Sequence, residues 1–148
     1  MAETIGKING DNFLVYVNAL PGDPGGAGIG TAVAHSIDAT ISISQETPDA
    51  TTKDSNQWVE HIRGNKSWEV SGSGLLAFDA TMGAVELIDL LMGGTSVYIR
   101  FSNNNAGDIA YEGYVSVTAS SINAPQNSAT GFDFTFVGTG ALTKLLIT

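Results

Sequence analysis

The sequence contains no cysteine, which excludes a disulfide framework and any thiolate metal site. It is also poor in charge. Only 14% of residues are Asp, Glu, Lys or Arg, against about a quarter in an ordinary globular domain. Cations are the scarcest, with 6 Lys and Arg facing 15 Asp and Glu, for a formal charge of -9. That balance argues against gripping nucleic acid by phosphate neutralisation. No apolar run approaches the roughly 18 residues of a membrane span. Met1 to Asn12 shows no basic stretch followed by an apolar one, so no signal peptide is expected.

What is present is a single-domain length of 148 residues with 43% hydrophobic content, enough for a packed core. With so little charge, the surface must be covered by Ser, Thr, Asn and Gly. Such a surface suits a protein packed against copies of itself.

The chain alternates with period two over most of its length, the pattern of strands with one buried and one wet face. Phe13 to Ala19 is a first strand. From Val33 to Ser44 the odd positions Val33, His35, Ile37, Ala39, Ile41 and Ile43 share an apolar face, which predicts a buried or half-buried structural role for His35. The even positions Asp38, Thr40, Ser42 and Ser44 share the wet face. Further strands are predicted at 66–79, 95–102, 109–122 and 130–137, the last with Phe132, Phe134 and Phe136 opposite Asp133 and Thr135. Gly72 and Gly74 signal a bulge or a close backbone approach. Residues 79–94 form the one expected helix. Ala84, Leu87, Ile88 and Leu91 line its apolar stripe, Asp79 or Thr81 caps its start, and Gly93 or Gly94 ends it. About seven or eight strands and one helix predict an all-β fold with one flanking helix, a two-sheet antiparallel β-sandwich or partly closed barrel. An N-terminal arm at 1–12 and an apolar C-terminal tail at 138–148 complete the single domain.

Glu46 to Asn65 interrupts this pattern with a polar segment far longer than the two to five residues a hairpin needs. It holds Lys53, Arg63 and Trp58, with Lys66 and Trp68 at the entrance of the next strand, so three of the chain's 6 cations gather here. This reads as a contact surface.

Catalytic and ligand motifs are weak. The glycines of 21–30 lack the Gly-Lys-Ser/Thr and following helix of a phosphate loop. Glu60 and His61 are sequence neighbours, which rarely converge on one proton. Glu46, Asp49 and Asp54 lack the spacing of a calcium loop, and no nucleophile elbow occurs. Trp58 and Trp68 offer a sugar-stacking platform, although such tryptophans are more commonly packing anchors. A carbohydrate-binding β-sandwich is therefore an alternative reading, and an enzyme is not expected.

The long loop carries a more specific signal. Ser42-Ile43-Ser44, Glu46-Thr47, Asp49 to Ser55, Trp58, Arg63-Gly64, Lys66-Ser67-Trp68 and Ser71 to Leu75 occur in that order. A helix with Leu87, Leu90 and Leu91 follows, then Glu112-Gly113-Tyr114, then Phe132 to Leu142 enclosing Gly138-Thr139-Gly140. Together these resemble the major tail tube proteins of long-tailed bacteriophages, most nearly the branch typified by lactococcal phage major tail proteins. The resemblance spans about Ile37 to Leu142 and leaves out the arm and the 21–30 loop.

It implies subunits that form six-membered rings stacked into a tube, with one sheet of each subunit joined into an inner barrel around the DNA path. It also implies a place in the virion tail after assembly in the host cytoplasm. The implied partners are further copies of the chain and the tape-measure, terminator and distal tail proteins. DNA would pass through without specific binding, and no cofactor, metal or membrane is called for. A tube from a related secretion or injection apparatus is the alternative that shares this fold. Within this frame Asp38, Glu112 and Asp133 are candidates for an acidic lumen face, each lying on the polar parity of a strand, a parity that fits the outer surface equally. Lys53, Asp54, Trp58 and Arg63 are candidates for contacts between rings or subunits.

Overall fold

A computed structural model describes residues 6–7, 10, 13–22, 28, 30–79, 81–103 and 105–147. The predicted arm at 1–12 falls largely outside them. Among the described residues there are seven strands: β1 Leu14–Val17, β2 Thr31–Ala32, β3 Ser36–Gln45, β4 Lys66–Leu75, β5 Ser96–Ser102, β6 Ile109–Asn123 and β7 Gly131–Leu146. One helix, α1 Ala84–Gly93, joins β4 to β5. The strands form a single antiparallel sheet in the order β2-β1-β5-β6-β7-β4-β3.

The two expected layers are halves of this one sheet. β6 and β7 are long enough to belong to both. The first part of β6 pairs with β5, while the first part of β7 pairs with β4. Register shifts at Glu112/Tyr114 and at Val117/Ala119 bend the β6–β7 hairpin, as bulges do. The sheet therefore curls until β1 approaches β3, although β5, β6, β7 and β4 separate them within the sheet. Val15, Val17 and Ile99 from one half meet Val70, Phe134 and Phe136 from the other in a single core.

The core is organised by Phe132, Phe134 and Phe136, whose rings follow one another at 6.1 and 5.1 Å. Gly72 lies directly opposite Phe134, and Gly74 opposite Phe132. A Cβ at Gly72 would sit 2.7 Å from the Phe134 ring, and one at Gly74 would sit 2.8 Å from the Phe132 ring. These glycines serve close approach, one of the two readings their pattern allowed.

α1 lays Ala84 and Leu87 into the core and packs against β6 and β7. Its first residue is later than expected. Gly83, not Asp79 or Thr81, is the N-cap, and its N–H donates to the Glu86 carboxylate at 2.9 Å. Gly94 ends the helix in the left-handed conformation, with φ 65°.

Two sequence expectations fail for local reasons. His35 is exposed, not buried. Its φ of 56° and the shift in β3 between Ser36 and Asp38 reset the strand's parity, which also turns Ile37 outward. Only Ala39 and Ile41 of the predicted apolar face reach the core from β3. Residues 138–146, expected as a tail, are the second half of β7. They pair with residues from Ile109 to Val115, and Ile147 beyond them is buried.

Candidate assembly surfaces

The 46–65 segment is a structured projection. Beyond the last β3–β4 pair, Gln45 opposite Lys66, the ladder continues through Glu46 N–H to the Asn65 carbonyl (2.9 Å) and Gly64 N–H to the Glu46 carbonyl (2.7 Å). Ile62 N–H to Pro48 (3.0 Å) and Ala50 N–H to Glu60 (2.8 Å) extend it further. The loop is thus a two-stranded ribbon that prolongs the hairpin. A short 3-10 turn at Lys53–Ser55, with Asn56 and Gln57 at positive φ, closes its tip. The Asp49 carboxylate accepts the Thr51 hydroxyl (2.5 Å) and the Thr51 N–H (2.8 Å). These two bonds hold the Asp49 carboxyl below the usual range.

The ribbon's backbone is satisfied from within, yet its side chains are bare. Trp58 is 77% exposed, and Val59 and Ile62 are also exposed. Lys53, Asp54 and Arg63 point to solvent, and among the described residues none of them forms an ion pair. An ordered arm with apolar side chains rimmed by charges has the character of an interaction surface.

The second surface is the outward face of β3, β4, β7 and the distal half of β6. Strand register sets its residues in rows. Asp38, Ser73, Asp133 and Ser121 lie side by side; then Thr40, Ser71, Thr135 and Ala119; then Ser42, Glu69, Val137 and Ser116. The Asp38 carboxylate accepts the N–H and hydroxyl of Ser73, both at 2.8 Å. Hydroxyls dominate these rows, the charges are Asp38, Glu69 and Asp133, and no Lys or Arg enters them. Asp38 and Asp133, both singled out from parity, are exposed on this face. Glu69 was not, although it shares the parity of Ser67 and Ser71, and that signal was enough to find it.

A family model for the phage tail tube protein matches residues 7–144 of the chain. The chain belongs to the phage tail tube protein family. Three solved structures share its fold. The tail of an empty gene transfer agent (GTA) particle, refined with C6 helical symmetry, superposes with a TM-score of 0.76 at 21% identity, covering 93% of this chain and 98% of that one. The virion of a native GTA particle gives 0.75 at 18% identity, with the same coverage. The SPP1 tail tube gives 0.66 at 12% identity, covering 95% of this chain and 80% of that one. No individually curated protein matches. A tail tube family member is a structural component of the virion tail, and the all-β fold with one helix is the fold of these tubes.

In this tail tube protein Glu112 is not a surface carboxylate. It is 2% exposed, and its Oε2 accepts Arg100 Nε at 3.0 Å and a terminal guanidinium nitrogen at 2.6 Å. The register shift beside it explains the error. Even positions Ala110 and Glu112 are buried before the shift, and odd positions Val115 and Val117 after it. Arg100 also donates to the carbonyls of Gly28 (3.1 Å) and Leu20 (3.0 Å), and Glu112 Oε1 accepts the Gly22 N–H (3.0 Å). The ion pair therefore clasps the glycine-rich connection between β1 and β2. Burial, then a hydrogen bond to Glu112, push the neighbouring Tyr98 phenol up to about 12.

The two tryptophans do not form a common platform. Trp68 is 6% exposed and donates its indole N–H to the Gly140 carbonyl at 3.1 Å, while Trp58 stands out on the ribbon. Trp68 is a core anchor, which removes the geometric basis for sugar stacking.

Proposed function

We propose that this chain is the repeating subunit of a tail tube in which six copies close into a ring, rings stack, and DNA is ejected through the lumen. The observation that carries this reading is the four-strand polar face with three carboxylates and no cation. Turned inward, it would repel DNA phosphates at short range and offer small hydroxyls instead of adhesive side chains. The hydroxyl-rich layer also has unpaired edges on both sides. Among the described residues, β3 pairs only with β4, and β6 beyond Ser116 pairs only with β7. Because β3, β4, β7 and β6 alternate in direction, the free edge of one copy's β6 runs antiparallel to β3 of the next. Head-to-tail pairing then repeats without a break, and closure removes the edges that otherwise invite aggregation. The C6 symmetry of the GTA tail with the same fold supports a six-membered ring.

Strands in a closed barrel tilt by roughly 35–45° from its axis, so their ends point toward adjoining rings. The ribbon at one end of β3 and β4 would reach the adjacent ring through Trp58, with Lys53, Asp54 and Arg63 in charged contacts. Tape-measure, terminator and distal tail proteins would meet the tube at its lumen and ends.

Electron microscopy of the concentrated protein tests the reading. Uniform tubes with six-fold end views are expected, with Asp38, Glu69 and Asp133 lining the channel. A protein that stays monomeric at every concentration, or a tube with these carboxylates on its outside, overturns it. Lys53→Glu with Arg63→Glu should impair stacking while leaving the circular dichroism spectrum unchanged.

A further inference from the structure

The core is open at the ribbon end of the subunit. Ile43, Trp68, Tyr111 and Leu142 floor a cleft of about 370 Å³, and Lys66 and Lys144 stand at its rim. These are two of the 6 cations of an acidic chain, and among the described residues neither forms an ion pair. At the other end of β4, just past Leu75, the reverse arrangement occurs. Phe78 is 81% exposed, with exposed Asp79 beside it. A Phe ring left in water beside a carboxylate complements an apolar cleft rimmed by lysines in polarity and charge. β4 has 10 residues, so at about 3.3 Å per residue the knob and the cleft lie roughly 30 Å apart along the strand. They cannot meet within one copy.

We propose that the Phe78 ring of a subunit in one ring enters the cleft of a subunit in the next, with its Asp79 carboxylate between Lys66 and Lys144. The contact is heterologous, since knob and cleft are different surfaces, and it repeats without end along the axis as a tube requires. It also gives the stack a direction, because every ring presents knobs on one side and clefts on the other. Every ribbon springs from the cleft side, so ribbon and cleft engage the same neighbour. This inference rests on the tube reading and adds the pair of surfaces that joins the rings.

Two experiments test it. Phe78→Ala removes an exposed ring and should leave folding intact, while raising the protein concentration needed for tube growth at least about tenfold, the effect of losing an aromatic interface anchor. Asp79→Lys should block growth, and adding Lys66→Glu and Lys144→Glu should restore it. Secondly, the absence of native cysteine allows Phe78→Cys and Ile43→Cys to be introduced together. A short bis-maleimide should then link copies into a ladder in tubes of this variant grown above its raised threshold concentration, and not in dilute subunits. Wild-type protein that forms no tubes defeats the proposed function itself. Wild-type tubes accompanied by normal growth of Phe78→Ala, or by no ladder, leave the tube standing and overturn this contact. Growth of Phe78→Ala that is impaired without rescue of the charge-reversed variant overturns the Asp79 half of the pairing.

Discussion

Removing one member of the Arg100–Glu112 pair should cost a large share of the subunit's stability. Both side chains are nearly inaccessible, at 1% and 2% exposure, and Glu112 Oε2 takes two guanidinium N–H groups. Glu112→Gln keeps the volume and removes the countercharge, leaving a guanidinium buried without a partner ion. The expected cost is about 3–5 kcal/mol, against a total of roughly 5–15 kcal/mol for a domain of this kind. Arg100→Met should cost at least as much, because the Leu20 and Gly28 carbonyls lose their donors as well. The double variant Arg100→Met/Glu112→Gln removes both charges together. It should therefore be much less destabilised than the sum of the singles, leaving only the loop's lost hydrogen bonds. Urea unfolding of dilute subunits, followed by circular dichroism, measures all four corners of this cycle. Amide exchange at Gly22, whose N–H binds Glu112 Oε1, should speed up in Glu112→Gln. Single variants that each cost less than about 1 kcal/mol and add simply would show that the pair is solvated, and would refute the clasp.

Three further outcomes follow from the packing. A Cβ at Gly138 would stand 2.1 Å from the Trp68 indole, so Gly138→Ala should displace that ring at a cost of about 1–3 kcal/mol. In a Trp58→Phe background the emission should shift to the red, and unchanged emission with unchanged stability would contradict this. Trp58→Ala should move the urea midpoint by no more than about 0.5 kcal/mol equivalent, since the ring is 77% exposed, yet it should weaken tube growth measured by sedimentation. Finally, the Tyr98 phenol is pushed up to about 12 from an ordinary 10.0. The folded state therefore favours the neutral phenol. Its contribution is fully present below pH 10 and is lost as pH rises toward 12. Ultraviolet titration should show a late-ionising tyrosine that disappears in Tyr98→Phe.

The separation between the polar face and the core in this subunit rests on small residues. Gly72 and Gly74 let the Phe132 and Phe134 rings lie against β4, while the reverse side of that strand carries Ser71 and Ser73 among the polar rows. One strand thus serves the core with glycine and the candidate lumen with serine. Large side chains at the glycines would lift the rings, and cations at the serines would put positive charge among the three carboxylates of the polar face.

Local periodicity in the sequence was enough to determine the β character, the helix around Ala84 to Gly93, the inward turn of Phe132, Phe134 and Phe136, and the exposure of Asp38 and Asp133. Each of these depends on neighbours a few residues away along one uninterrupted strand or helix. The break in alternation at 46–65 likewise marked the segment that stands out as an exposed ribbon. Tertiary structure decided what parity could not carry across an irregularity. The left-handed turn at His35 and the shift after Ser36 exposed residues expected inside, and the shift at Glu112 buried a carboxylate expected outside. The fates of Trp58 and Trp68 depended on which tryptophan met the curled sheet, and Arg100 was covered by a loop distant in sequence. A strand's alternation is a local property of its backbone, whereas bulges and the loops that cover a face are set by the closure of the whole sheet, and those placed the charges of this tail tube subunit.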